Sequence, residues 1–169
     1  LGMIRRNIKF KSKEIIVSLY KALVRPRLEY CIQAWCPNLL KDTELLETIQ
    51  RRATKMVIGL RQISYDKRLK ETGLTTLVDR RERGDLIETF KIIKGIDKVD
   101  FRTWFTIDNS KRVRGHTFKL VKNHCKSNTR SCFFSQRVVN KWNGLPEEVV
   151  QAKTVNTFKN KLDKITVRN

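Results

Sequence analysis

The sequence predicts a mostly α-helical fold: a helical bundle over residues 1–95, then a smaller helical extension holding at most one short strand or hairpin. Three observations predict it. Helix-forming residues dominate, apolar residues recur at helical spacing behind capping residues, and no alternating run is long enough for a sheet-based core. At 169 residues the chain is one domain, or a domain with a smaller appendage, and can bury roughly 70% of its unfolded surface. Seven glycines and three prolines leave little room for disorder.

Ser12 caps the first helix, in which Ile15, Ile16, Leu19, Tyr20, Leu23 and Val24 recur with helical spacing. Pro26 removes a backbone donor and disfavours helical geometry at Arg25, so this helix kinks or stops there. Leu28, Cys31, Ile32 and Trp35 continue an apolar face, with Trp35 anchoring the returning chain, until Cys36-Pro37-Asn38 turns it. Asp42 is the expected N-cap of the next helix, with Gly59 at its end. Its expected buried stripe is Leu45, Leu46, Ile49, Ala53, Met56 and Val57, which leaves Gln50, Arg51, Arg52 and Lys55 off the stripe. Ser64 caps a short helix ending near Gly73. A longer helix covers 76–94 and stops at Gly95, charged in its first half and carrying Leu86, Ile87, Phe90 and Ile93 in its second.

Beyond Gly95, residues 116–122 read as a short strand and 131–146 as a helix presenting Phe134, Val138 and Trp142. A last amphipathic helix begins at Thr154, with Val155, Phe158, Leu162 and Ile165 on one side. Helical spacing assigns Trp35, Phe90, Phe134, Trp142 and Phe158 to the core. Trp104 and Phe105 lack such a pattern; they stack on bases or fill a gap between a loop and the core.

Charge narrows the function. Thirty-seven Lys and Arg against seventeen Asp and Glu leave +20, with a pI of about 10.3. Such a surplus calls for a polyanionic partner, nucleic acid ahead of acidic lipid, because each neutralised phosphate releases counterions. The longest apolar runs fall well short of the ~20 residues a membrane span needs. With nucleic acid favoured over lipid by the charge, no membrane partner is expected. Four cysteines form no dense disulfide framework, and a reducing nuclear or cytoplasmic setting is expected. The opening Leu1-Gly2-Met3, already within patterned sequence, reads as the start of a fragment.

The best direct binding candidates are Lys111, Arg112, Arg114, Lys119, Lys122, Lys126, Arg130 and Arg137, spread over residues 109–137 without one acid. Arg51, Arg52 and Lys55 come next. Arg80, Arg81 and Arg83 rank lower, because Asp79, Glu82, Asp85 and other acids can pair with them.

Five blocks in order carry a family resemblance: "LYKALVRPRLEYCIQAWCP", "LLETIQRRATKMVIGL", "SYDKRLKETGLTTLVDRRERGDLIETFKIIKG", "RGHTFKL" and "FFSQRVVNKWNGLPEEVVQAKTVNTFKNKLD". Together they resemble the C-terminal part of reverse transcriptases from LINE-type (non-LTR) retrotransposons, over roughly residues 1–165. The resemblance implies that residues 1–95 are a helical thumb and 96–169 the basic C-terminal extension. It further implies a non-catalytic piece that clamps a template–primer duplex, with RNA and DNA (an RNA–DNA hybrid) and the parent's palm and fingers as partners. Arg25 and Arg27, flanking Pro26, then either face the duplex backbone or pair with Glu29 and other acids. The alternative is a docking module that packs on a palm domain this chain does not contain.

Catalysis is not expected. Polymerases of this family hold two Mg²⁺ on palm aspartates in an aromatic-Ala-Asp-Asp turn, and this chain has no Asp-Asp pair. The family's endonuclease is missing as well, and no cofactor is expected. His116, His124, Cys125 and Cys132 follow at spacings that match no paired zinc-ligand pattern, so no metal is expected. Cys125 beside His124 makes no dyad by adjacency, and there is no glycine-rich phosphate loop.

Overall fold

Helix follows helix from Gly2 to Thr166 in the computed structural model, which describes residues 1–108 and 115–166. The chain divides into two units, residues 1–81 and 82–169. The division falls inside the helix Leu77–Ile93, because Leu86, Ile87, Phe90 and Ile92 join the core of the second unit. No helix among the described residues is long and apolar enough to cross a membrane.

In the first unit, α1 (Gly2–Asn7) places Ile4 against Ile16, Val57 and Leu60. Ser12 starts α2 (Lys13–Leu19) as its residue type predicts, its hydroxyl accepting from the Ile15 N–H at 3.4 Å. Pro26 does not stop this helix at Arg25. A π-helical stretch, Tyr20–Val24, runs into α3 (Arg25–Glu29), with the Arg25 N–H reaching back to the Tyr20 carbonyl. The wider π turn accommodates a proline ring that would clash with a carbonyl in regular α geometry. The chain leaves the helix only at Tyr30, and Cys31 takes a left-handed φ of +52° before α4 (Ile32–Trp35).

Two further expectations fail here. Trp35 is 41% exposed rather than core, with its indole N–H bonded to the Tyr30 carbonyl. The next helix, α5 (Leu40–Lys55), begins two residues before Asp42, which lies in its first turn. Its buried stripe is Glu47, Gln50, Ala53 and Thr54, continued by Val57, whereas Leu45 is 68% exposed. Ala53 and Val57 are buried as apolar periodicity expects, but Glu47, Gln50 and Thr54 rotate the stripe toward polar residues and leave Leu45 outside it.

Those polar groups are hydrogen-bonded, as burial requires. The Gln50 amide accepts from the Tyr20 hydroxyl at 2.8 Å. It donates toward the Thr75 carbonyl and the Tyr65 hydroxyl, both at 2.9 Å. Glu47 accepts from Tyr65 and, at 2.9 Å, from the backbone N–H of Leu77. Leu77 opens α7 (Leu77–Ile93), so a buried carboxylate on α5 sits at that helix's positive end. Between them α6 (Tyr65–Thr72) ends at Gly73, whose φ of +60° a β-carbon would strain.

The second unit is built on an aromatic centre. Phe90 stacks on Phe158 at 4.3 Å, Trp142 lies 6.2 Å from Phe158, and all three are fully buried. The helix expected over 131–146 is broken into α9 (Phe134–Arg137) and α10 (Val139–Asn143), preceded by α8 (Asn128–Ser131). Phe134, Val138 and Trp142 still face the core. The strand expected at 116–122 reduces to one antiparallel bridge, Ile107 with Leu120. The Asn143 side chain supplies what a second strand would, accepting from the Leu120 N–H at 2.9 Å and donating to its carbonyl at 2.8 Å. After α11 (Glu147–Val150), Thr154 caps α12 (Val155–Thr166), its hydroxyl accepting from the Thr157 N–H at 3.1 Å.

Candidate nucleic-acid interface

The C-terminal end of α5 is where the first unit concentrates free positive charge. Helical periodicity puts Arg52 and Lys55 one turn apart on the side away from Gln50 and Thr54. Gly59, at φ +81°, reverses the chain and brings Arg61 back toward them. Ile4 anchors α1 on Val57 and Leu60, and the Ile58 N–H bonds the Lys11 carbonyl at 3.0 Å, which carries Arg5 and Lys11 to the same place. The result is an open cleft of about 860 Å³ lined by Arg5, Lys11, Arg52, Lys55 and Arg61, with no acid in its wall. None of the five forms an ion pair with any described residue. Arg52 and Lys55 also complement the negative end of α5, but that accounts for two cations and not for the other three.

The other cations expected to bind fall into separate situations. Arg51 is exposed but outside the cleft, its guanidinium 5.0 Å from the Tyr65 ring. Arg25 lies 3.9 Å from Glu29, and Arg80 grips the same carboxylate through both Nε and Nη2, the latter at 2.9 Å. Burial, then the Arg80 charge, push the Arg25 guanidinium down from its usual value. Arg27 is exposed with no acid in ion-pair range among the described residues. Arg83 pairs with Asp163 at 2.6 and 2.9 Å, so Arg80 and Arg83 find acids on distant elements rather than along their own helix, while Arg81 is buried.

In the basic segment, Lys111, Arg112 and Arg114 lie outside the described residues. Lys119 is half-buried across Gly115, where an added β-carbon would meet its Cε at 2.6 Å. Lys122, Lys126 and Arg130 are exposed, and Arg130 lies 5.1 Å from the Phe133 ring. Arg137 does have a compensating acid: it holds Asp85 by two hydrogen bonds of 2.8 and 2.9 Å. That pairing could not be read from a segment that contains no acid itself.

Arg5, Lys11 and Arg61 were not singled out by the sequence. The signal available was the turn at Gly59 together with the apolar Ile4, which places α1 beside the end of α5. The four soft residues of the second unit do not converge. His116 is buried with Nε2 3.0 Å from the Trp142 carbonyl, and Cys125 lies 3.7 Å from the Gln136 side chain. No group of three or more His, Cys, Asp or Glu able to hold a metal occurs among the described residues.

No protein-family model, curated protein or solved structure matches the chain.

Proposed function

We propose that the protein is a non-catalytic nucleic-acid-binding module that grips a template–primer duplex, favouring an RNA–DNA hybrid, through backbone phosphates. The observation that carries this reading is the cleft of Arg5, Lys11, Arg52, Lys55 and Arg61, five unpaired cations with no acid among them. Unpaired lysine and arginine keep their hydration and counterions until a phosphate replaces both, and that release is the main source of non-specific affinity. Such contacts position a backbone without reading its sequence. The resemblance to the thumb and C-terminal extension of LINE-type reverse transcriptases supports the same reading and implies a polymerase palm as the module's neighbour. In that setting it keeps template and primer in register while the palm carries the Mg²⁺ chemistry.

The test is competition. A labelled RNA–DNA hybrid is challenged with duplex DNA, single-stranded RNA and heparin, using the chain and its Arg52→Ala/Lys55→Ala variant. The reading predicts that the hybrid resists heparin and that the variant releases it. Displacement by heparin at equal charge, with the variant behaving as the parent, overturns it.

One observation favours a second reading, a docking module for a palm domain. Tyr30, Trp35, Leu39, Leu40 and Leu45, all large and apolar, are exposed within one stretch of the first unit. Concentration-dependent self-association that these residues control, without hybrid binding, is the outcome that selects it.

A further inference from the structure

A second surface, wholly within the second unit, carries exposed aromatic rings beside cations. Phe133 is 52% exposed and Trp104 44% exposed, although that unit has a well-filled core. Both rings neighbour Phe134, one in space and one in sequence. Trp104 packs edge-on against Phe134 at 6.0 Å, and Phe134 follows Phe133 directly, its α-carbon about 3.8 Å along the chain. Phe134 is fixed in turn, edge-on to the buried Phe105 at 5.6 Å. The exposed rings therefore stand on a rigid base rather than on a loose loop. Arg130 lies 5.1 Å from the Phe133 ring, Arg102 is exposed two residues before Trp104, and Lys126 is exposed nearby in sequence. Residues 109–146 contain no acid, and within them Arg137 and Lys141 are paired with Asp85 and Glu82 of α7.

We propose that Phe133 and Trp104 form a stacking platform for unpaired nucleobases, with Arg130 and Arg102 holding the adjoining phosphates of a single strand. The pattern is the one unpaired strands need: every base has a π-face, so exposed rings hold it without reading its identity, while cations track the backbone. Duplex bases are stacked on one another and leave no free face. The platform and the cleft at the end of α5 thus take different forms of nucleic acid, unpaired strand and duplex, through different residues. The platform does not depend on the cleft.

The experiment uses the full chain and three labelled probes of one length: a single-stranded oligo(U), an abasic single strand with the same phosphates, and a hybrid duplex. The chain is expected to prefer oligo(U) over the abasic strand at matched salt. Phe133→Ala and Trp104→Ala are each expected to remove about 5- to 150-fold of oligo(U) affinity. Binding of the abasic strand and of the hybrid should stay unchanged. Phe133→Tyr, which keeps a stacking ring, should retain the preference. Phe133 is the decisive position because its exposed ring can be truncated without opening the core, and helical circular dichroism checks Trp104→Ala. Equal affinity for oligo(U) and the abasic strand, or an unchanged preference in Phe133→Ala, overturns the platform. Loss of hybrid binding in the Arg52→Ala/Lys55→Ala variant speaks to the cleft alone.

Discussion

Gln50 is the residue on which the first unit turns, and Gln50→Leu is the substitution that shows it. The side chain is fully buried and joins three elements: Tyr20 on the π-helical stretch, Tyr65 on α6 and the Thr75 carbonyl just before α7. Leucine fits the volume but leaves the Tyr20 hydroxyl without its acceptor and the Thr75 carbonyl without its donor. The orphaned, buried Tyr20 hydroxyl costs about 1–3 kcal/mol and the Thr75 carbonyl, on an exposed residue, about 1 more, while the added apolar contact offsets roughly 1 kcal/mol, for a net loss of about 1–3 kcal/mol. In a unit of residues 1–81 that lowers the melting temperature by roughly 4–24 °C. Urea unfolding followed by circular dichroism measures the loss, and hydrogen exchange assigns it to residues 1–81. In a Tyr20→Phe background the same substitution should cost less, since one orphan is gone. A loss below about 0.5 kcal/mol in Gln50→Leu would refute the claim that this network holds α5 in place.

Three further outcomes are expected. Burial raises the Tyr20 and Tyr65 phenols well above their ordinary 10.0, with Glu29 adding to the rise at Tyr20 and Glu47 at Tyr65. The folded chain therefore keeps protons that the unfolded chain releases, so this stability is complete below about pH 10 and is lost as pH climbs further. Tyrosinate absorbance should rise for these two only as helix is lost; more than one of the three tyrosines ionising with the helix intact contradicts it. Asp85→Ala should destabilise the second unit by about 3 kcal/mol in urea unfolding, because Arg137 keeps its charge among buried groups after losing both bonds to the carboxylate. Cys31→Gly should be neutral or stabilising by about 0.5 kcal/mol, since glycine relieves the left-handed φ of +52° but loosens the unfolded chain; a clear loss of thermal stability contradicts this.

The helical class, the cap at Ser12, the start of the last helix at Thr154, the stop at Gly73 and the burial of Phe90, Trp142 and Phe158 were all legible, because each rests on local chemistry or apolar spacing. The face of α5 was legible only in part: Ala53 and Val57 are buried as expected, but Glu47, Gln50 and Thr54 are buried too, and the partners of Glu47 and Gln50 lie far away in sequence. The continuation of the helix past Pro26 was not legible for a related reason: the π turn before it is a response of neighbouring backbone, invisible in the residue type. At the cleft, Arg52 and Lys55 were legible as cations off a buried stripe, although the stripe is rotated from the expected one. Arg5, Lys11 and Arg61 reach it only through tertiary packing of Ile4 and the turn at Gly59.

The most direct test of the central claim is the salt dependence of hybrid binding. Five phosphate contacts contribute about −4.5 to the slope of log affinity against log salt, at about −0.9 per contact. Replacing Arg52 and Lys55 by alanine should make the slope shallower by about 1.8 and weaken binding at every salt concentration. A variant whose slope and affinity match the parent's would mean that phosphates do not enter this cleft, and the account would fall with it.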